Sequence, residues 1–194
     1  MYNPSDTAPG WLYRKHGKML EAFGGGTSQF YQFQRFQNLC WSSARGDSWS
    51  SNVWHSKCNN KGKTLWFARE VYSSKEYVAG SYQRDNWAGS GYANDGYSRI
   101  FTFNQHHMKT GSQTAGWWTK PTGNGIYRSN GYGPTFGGGH DWHVSSNMRT
   151  GYMNFGNSYK CRIGNYGQNA CQADILGSYS SWSINEAEMW SEKA

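Results

Sequence analysis

The feature that most constrains this chain is its shortage of the aliphatic side chains from which protein cores are usually built. Leu, Ile and Val number only 14 in 194 residues, whereas the chain has 11 Trp, 14 Tyr and 9 Phe. Low aliphatic content can indicate a disordered chain, but each aromatic ring can bury about 150–250 Å². The aromatic side chains therefore suffice for a core, and the length fits one domain with at most a short appendage.

The aromatic residues come in short runs separated by Gly, Ser, Thr and Asn, which is typical of strands joined by turns. Residues 65–68 and 77–79 predict a hairpin across residues 72–75. Residues 99–103 alternate with a period of two, as expected for a half-buried strand. Because further strands are predicted at residues 126–128, 142–144 and 183–190, we predict an all-β fold, a two-sheet β-sandwich.

The N-terminal residues have a different pattern. Helical spacing is found for Leu12, His16, Met19, Leu20 and Phe23. Three glycines at 24–26 would end such a helix, so we predict short N-terminal helices packed on the sandwich through Trp11 and Phe23. The predicted organisation is an N-terminal arm or helix over residues 1–28 and a β-sandwich domain over residues 29–194.

Charge and hydropathy limit the partners and the location of the chain. The formal net charge is +7, but Lys and Arg are scattered singly, so no nucleic-acid partner is expected. No apolar run is long enough for a membrane span, and residues 1–10 lack the pattern of a secretory signal. Charged residues make up only 16% of the chain, which leans towards an extracellular rather than a cytoplasmic location.

The four cysteines, Cys40, Cys58, Cys161 and Cys171, allow three pairings. Cys161 and Cys171 flank a Gly/Asn segment that could turn, so we predict a disulfide between them, worth somewhat under about 3 kcal/mol. The alternative is four reduced thiols that pack as small hydrophobic groups. No cysteine spacing resembles a zinc site, and neither a metal nor another cofactor is expected.

Six sequence blocks resemble, in the same order, those of the TLDc domain family. The best match is Gly-Pro-Thr-Phe-Gly-Gly-Gly-His-Asp at residues 133–141, which is similar to the family's Gly-Pro-x-Phe-Gly-Gly-Gly-x-Asp. The resemblance covers about residues 30–190 and implies a non-catalytic, TLDc-type β-sandwich. Family members are linked to oxidative-stress protection and, in several intracellular cases, to the vacuolar proton pump. The blocks lie at residues 39–65, 78–82, 100–103, 133–144, 152–159 and 176–190.

Gly137, Gly138 and Gly139, together with Asp141, are interpreted as a structural motif in which glycines permit a bend and close approach of the backbone. The alternative is an anion-binding nest of backbone N–H groups, although the Lys-Ser/Thr of a P-loop is missing. His140 and the nearby His143 are expected on opposite faces of a strand because side chains alternate. No metal site is therefore predicted from them.

Glu186 and Glu188 share one face of the last predicted strand. They can be read as a catalytic carboxylate pair, as two carboxylates on an exposed face, or as structural residues. In the structural interpretation, one of them hydrogen-bonds backbone groups or Arg45 inside the sandwich. No nucleophile motif accompanies them, so we predict that the chain is not an enzyme.

Aromatic residues in loops rich in Gly, Asn and Ser are the main functional candidates. The loop over residues 110–132 is long for a sandwich, and its Trp117 or Trp118 is predicted to anchor a ligand, with Lys120 favouring an acidic or polar partner. Sugar rings and protein partners stack on such aromatic faces. The alternative is that the rings cap the core. The predicted binding residues are Trp117, Trp118, Tyr132, Trp87, Tyr92 and Lys120.

The predicted function is a non-catalytic, TLDc-like binding domain with a protein or glycan partner and a stress-protective or defence-related role. An alternative is a secreted carbohydrate-binding (lectin-like) or adhesive protein on the same scaffold. A weaker third interpretation is a hydrolase-type enzyme that uses Glu186 or His140. The sequence leaves the identity of the ligand and the oligomeric state open.

Overall fold

Two antiparallel sheets of six strands each account for most of the chain that the computed structural model describes, residues 9–14, 36–103, 117–119, 123–160 and 181–194. The first half of the strands is β1 (Asn38–Ser42), β2 (Thr64–Tyr72), β3 (Lys75–Gln83), β4 (Gly91–Ala93), β5 (Arg99–Thr102) and β6 (Trp117–Thr119). The second half is β7 (Ile126–Arg128), β8 (Thr135–Phe136), β9 (Trp142–Val144), β10 (Thr150–Tyr152), β11 (Trp182–Ser183) and β12 (Glu186–Ser191). The helix α1 (Ser51–Cys58) lies between β1 and β2.

The first sheet has the order β1-β12-β2-β3-β5-β6, and the second has the order β11-β10-β9-β8-β7-β4. All of these neighbouring strands pair in antiparallel fashion. The prediction of an all-β, two-sheet sandwich is therefore confirmed at the level of architecture.

Tryptophan rings fill much of the space between the two sheets. Trp66 from the first sheet and Trp142 from the second are both buried, as is Trp54 from α1. Ring pairs meet at steep angles, with centroids 5.2 Å apart for Trp54 and Trp87 and 6.0 Å apart for Trp142 and Trp182. Aromatic pairs prefer such edge-to-face contacts, which explains how a chain with few aliphatic residues closes a core.

The hairpin of β2 and β3 is the longest paired element in the described residues. The two strands are in register from the Thr64–Gln83 pair to the Tyr72–Lys75 pair. The turn consists of Ser73 and Ser74, both at positive φ (50° and 60°), as a type I′ turn requires. The predicted hairpin is confirmed, including the position of its turn.

The N-terminal residues cover the outer face of the first sheet. Residues 11–14 are helical, and Trp11 and Leu12 pack in a second buried cluster with Leu65 and Phe67 of β2. Since β2 thus buries both of its faces, Leu65 to Ala68 are consecutive apolar residues rather than an alternating pattern. The predicted packing through Trp11 is confirmed, whereas Phe23 lies outside the described residues.

The structure contains one helix that was not predicted and divides one predicted strand into two. Residues 51–58 form α1, which was not predicted, and buried Ser51, Trp54, His55 and Cys58 share one face of this helix. The single strand predicted over residues 183–190 is two strands in different sheets. The chain crosses between the sheets at Ile184 and Asn185, whose N–H groups donate to Arg149 O and Arg69 O.

A disulfide joins Cys40 of β1 to Cys58 of α1, with Cα atoms 5.4 Å apart. The interpretation of four reduced thiols is therefore wrong for these two residues. The predicted bond between Cys161 and Cys171 lies outside the described residues. In the same described part of the chain, no helix is long and apolar enough to cross a membrane.

Candidate functional site

The outer face of the second sheet carries a row of aromatic side chains. Trp142 and Val144 of β9 point into the core, so His143 between them points outward. His143 pairs with Tyr152 of β10 on one side and with Thr135 of β8 on the other. The row continues across β7 to β4, where Tyr127 and Tyr92 form a cross-strand pair. Five neighbouring strands thus contribute one residue each to the row.

Two rings from the turns at the ends of β8 lie against this row. Tyr132 precedes β8, and its ring centroid lies 4.4 Å from that of His143. His140 follows β8, and its ring stacks on that of His143 at 5.3 Å. We call the whole set the aromatic face, which consists of Tyr92, Tyr127, Tyr132, His140, His143 and Tyr152.

The rings of the aromatic face form one connected layer. Centroid distances are 4.9 Å for Tyr92 and Tyr127, 4.9 Å for Tyr127 and His140, and 4.6 Å for His143 and Tyr152. An aromatic cage would hold a cation between the faces of separated rings. Because these rings touch one another, the arrangement is a platform rather than a cage.

The platform is most accessible at its two ends. Tyr92 is 46% exposed and Tyr152 is 37% exposed, whereas His143 at the centre is 6% exposed. Tyr127, Tyr132 and His140 have intermediate exposure. A ligand on this face would therefore contact Tyr92 and Tyr152 most, with Tyr127, Tyr132 and His140 also within reach.

Both imidazoles of the platform are neutral at pH 7. Burial lowers the pKa of His143 to about 4, with a further contribution from the neighbouring His140. Burial also lowers the pKa of His140. His140 Nδ1 is hydrogen-bonded to the Tyr152 hydroxyl at 2.6 Å, and His143 Nδ1 to Thr135 Oγ1 at 3.2 Å. The face is thus uncharged and carries hydroxyl and imidazole groups at the edges of its rings.

Helix α1 holds the segment that presents Tyr132. The ring nitrogen Nε2 of His55 lies 2.9 Å from Ser129 O and 3.1 Å from Tyr132 O, so it donates to these carbonyls. Ser51 Oγ donates to Asn130 O at 3.0 Å. These bonds fix the backbone before a ligand arrives, which lowers the entropic cost of binding.

The glycine motif places His140. The N–H groups of Gly137, Gly138 and Gly139 donate to Gly125 O, Ser158 Oγ and the Tyr92 hydroxyl, respectively. All three amides are therefore used within the protein, and the anion-nest interpretation is wrong. The motif instead turns the chain so that His140, at φ 60°, directs its ring onto the platform.

Asp141 anchors the loop that follows β10. Its buried carboxylate accepts N–H groups from Gly156, Asn157, Ser158 and Tyr159. Burial raises the pKa of Asp141 to about 6, while these four donors act in the opposite direction. At neutral pH the ionised carboxylate of Asp141 therefore holds this loop.

Glu186 and Glu188 lie on the outer face of the first sheet and are almost wholly buried. Glu186 pairs with Arg69 at 3.1 Å, and Glu188 Oε1 accepts the Tyr13 N–H and the Trp190 Nε1–H. One predicted alternative, a hydrogen bond to backbone, is thus found, whereas Arg45 is not the partner. Trp190 itself is only partly buried.

The structure brings together two of the predicted binding residues, Tyr92 and Tyr132. Trp87 was wrongly predicted as exposed, because it is 1% exposed and donates its Nε1–H to Thr64 Oγ1 in the core. Trp117 and Trp118 belong to β6 of the first sheet, not the second, and their side chains and Lys120 lie outside the described residues.

The sequence reasoning missed Tyr127, Tyr152 and the joint placement of the two histidines. It expected His140 and His143 on opposite faces, but His140 lies in a turn and its ring stacks on His143. Alternation within β9 was the available signal for an outward His143. The pairing of β9 with β8 and β10 has no local signal in the sequence.

Among the described residues, no group of three or more His, Cys, Asp or Glu side chains could hold a metal ion. A scan against protein-family models finds no match for the chain, and a search of curated proteins also finds none.

Proposed function

We propose that this protein is a non-catalytic binding domain whose aromatic face takes a neutral polysaccharide. The observation that carries the proposal is the continuous layer of six tyrosine and histidine rings across the second sheet. Sugar rings present a flat face of C–H groups with hydroxyl groups at the rim. Tyrosine and imidazole rings match both features, because each has an apolar face and a polar edge.

The neutrality of the platform supports a neutral ligand. Burial keeps both imidazoles uncharged at pH 7, and the buried Asp141 directs its carboxylate to backbone amides rather than to the face. An acidic or basic ligand would find no ionic partner among these six rings. Stacking and hydrogen bonds to hydroxyl groups remain as the sources of affinity.

The length of the platform supports an oligomeric ligand. From Tyr92 on β4 to Tyr152 on β10 there are four steps between adjacent strands. At about 4.8 Å a step, the platform extends about 19 Å. Such a row fits several consecutive sugar units lying across the strands better than it fits a monosaccharide.

Two further observations support an extracellular location and a non-catalytic role. The Cys40–Cys58 disulfide favours an oxidising compartment, such as the extracellular space. Glu186 and Glu188 are buried in the first sheet, Glu188 beneath the helical turn of residues 11–14, and neither belongs to the aromatic face.

We also propose that the chain is related to the TLDc family. It is supported by the order of the six sequence blocks and is compatible with the antiparallel two-sheet architecture. A shared scaffold would not transfer a partner, because fold does not determine function. The ligand is therefore argued from the aromatic face alone.

The test is binding of cellohexaose and chitohexaose, measured by calorimetry, to the parent protein and to the double variant Y92A/Y152A. We expect at least one oligosaccharide to bind the parent and the double variant to lose about tenfold or more in affinity, since each exposed aromatic contact contributes about 1 kcal/mol.

The matched control is Y72A/Y97A, which removes two tyrosines that are similarly exposed (45% and 43%) but lie outside the aromatic face. Its affinity should equal that of the parent. An equal loss in both double variants, or no binding of either sugar to the parent, would overturn the proposal.

A further inference from the structure

A second surface, distant in sequence from the aromatic face, has an excess of positive charge. It is a groove of about 700 Å³ between the end of β1, helix α1 and the C-terminal residues. Polar and cationic side chains make up most of its lining, and none of its described lining residues is aromatic. The cationic residues that line it are Arg45, Lys57, Lys61 and Lys193.

Backbone hydrogen bonds hold two of these lysines next to each other. The Lys193 N–H donates to Lys61 O at 3.1 Å, and the neighbouring Glu192 N–H donates to Lys63 O at 3.0 Å. Lys63 is neutralised by Glu192, with Nζ and Oε1 3.5 Å apart. In the described part of the chain, neither Lys61 nor Lys193 has a carboxylate within salt-bridge distance. The backbones of Lys61 and Lys193 are therefore adjacent, and neither side chain is neutralised by a salt bridge within the described residues.

The other two cations share a single carboxylate. Asp47 pairs with Arg45 at 2.6 Å and also with Lys57. Arg45 further donates to Leu39 O at 2.7 Å and to Cys40 O at 2.9 Å, which fixes the guanidinium at the rim of the groove. Arg45 and Lys57 together therefore keep one surplus positive charge after pairing with Asp47.

The disulfide fixes the shape of the groove. Cys40 lines the groove and is bonded to Cys58 at the end of α1, the helix that carries Lys57. The bond therefore ties the wall formed by β1 to the wall formed by α1. A preformed site of this kind binds a ligand without a large ordering cost.

We propose that this groove binds the sulfate groups of an acidic polysaccharide. Lysine ammonium groups act as point charges that accommodate oxyanions in many orientations. A single-stranded nucleic acid would stack its bases on aromatic rings, which the described lining does not offer. An extended anionic chain that spans the groove would neutralise Lys61, Lys193 and Lys57 together.

The proposal is independent of the neutral ligand on the aromatic face. The two surfaces share helix α1, whose His55 holds the Tyr132 segment and whose Lys57 lines the groove. None of the groove residues named above belongs to the aromatic face. Each site can therefore be removed without changing residues of the other.

The test is binding of the protein to immobilised dextran sulfate, with unsulfated dextran as the neutral counterpart. We expect affinity for dextran sulfate to weaken with added salt and to fall about tenfold in the variant K61Q/K193Q. The matched variant K75Q/K160Q removes the same charge from two exposed lysines elsewhere and should lose less than about twofold.

Three outcomes would overturn the inference. The first is an equal loss of affinity in both double variants, because net charge rather than the groove would then explain binding. The second is equal affinity for dextran and dextran sulfate. The third is tighter binding of a single-stranded oligonucleotide of the same charge. Thermal melting checks that both variants stay folded, which is expected because all four lysines are at the surface.

Discussion

Buried carboxylates are the residues at which this structure responds most directly to pH. Glu188 lies beneath the N-terminal turn, next to Trp190 and near Glu186, which itself pairs with Arg69. Burial raises the pKa of Glu188 to about 7, although hydrogen bonds from Trp190 and Tyr13 act against the shift. The Glu188 carboxyl group therefore binds a proton more readily in the native state than in the unfolded chain.

We predict that the contribution of Glu188 to stability declines as pH rises from about 4.5 to about 7. A raised native pKa favours folding below about pH 4.5, and that contribution is lost progressively up to about pH 7. The variant E188Q imitates the protonated acid, so it should gain up to about 3 kcal/mol over the parent at pH 8 and little at pH 4. Urea unfolding at both pH values measures the difference. His143, with a pKa of about 4, and Asp141, with a pKa of about 6, also titrate in this range, but they do so in both proteins, so their contributions cancel in the difference.

An E188Q variant less stable than the parent at pH 8 would show that the ionised carboxylate is the form that the N-terminal turn requires. In that case the hydrogen bonds from Tyr13 and Trp190 would outweigh burial.

Gly137 combines a positive φ with a blocked Cβ position. It has φ 80°, and a Cβ atom there would lie 1.9 Å from Oδ2 of Asp141. We predict that G137A destabilises the protein by at least about 3 kcal/mol, because it adds backbone strain and displaces a buried carboxylate. G46A is the control: Gly46 has φ 83° but nothing within 4 Å of the Cβ position, so about 1 kcal/mol is expected. Similar losses in the two variants would contradict the close packing at Asp141.

The β2–β3 hairpin has a turn whose two residues are not the ones preferred for its backbone conformation. Ser73 and Ser74 both adopt positive φ, where Asn-Gly is preferred. The variant S73N/S74G should therefore stabilise the protein by about 1 kcal/mol in urea unfolding. S56G on α1 is the opposite control and should destabilise, because glycine disfavours a helix. A destabilised S73N/S74G protein would show that the turn is not of type I′.

The same elements show what the sequence could and could not predict. The hairpin was predictable because its apolar runs and polar turn are adjacent in the chain. Helix α1 was missed because its eight residues are mostly polar and give a weak helical pattern, although Trp54 and Cys58 are four apart and both buried. The split between β11 and β12 was missed because the crossing depends on hydrogen bonds from Ile184 and Asn185 to distant strands.

The aromatic face was predictable only in part, because its residues are brought together by strand pairing. Tyr92 and Tyr132 were found from their Gly- and Asn-rich surroundings. Trp87 has similar surroundings but lies in the core, since Thr64 accepts its indole N–H there. The combination of His143 with Tyr152 arises from strand register, which is set by the buried faces of β9 and β10 rather than by local sequence.

For the whole molecule, we predict that no thiol is free before reduction. The Cys40–Cys58 bond leaves Cys161 and Cys171 as the remaining pair, and they flank a turn-like segment. Thiol titration of the denatured, unreduced protein should therefore give no thiol, and mass spectrometry of its peptides should show the two linkages. Two thiols per chain would disprove the second bond, and four would disprove both.

The two proposed sites suggest a protein that contacts a polysaccharide matrix over an extended surface. The aromatic face is proposed to take neutral sugar units and the groove to take sulfate groups, and α1 contributes to both surfaces through His55 and Lys57. Binding at two sites on one polymer raises the overall affinity through effective concentration. The disulfide at the end of α1 stabilises this arrangement.

Ring-selective NMR can show whether the outer face of the second sheet is the ligand surface. With carbon-13 in the rings of tyrosine, histidine and tryptophan, titration with the oligosaccharide that binds best should move the signals of Tyr92, Tyr152 and His140. Tyr72 and Tyr97, which are exposed outside this face, should not move. Saturating ligand that moves only the signals of Trp117 and Trp118, and leaves the aromatic face unchanged, would contradict the account.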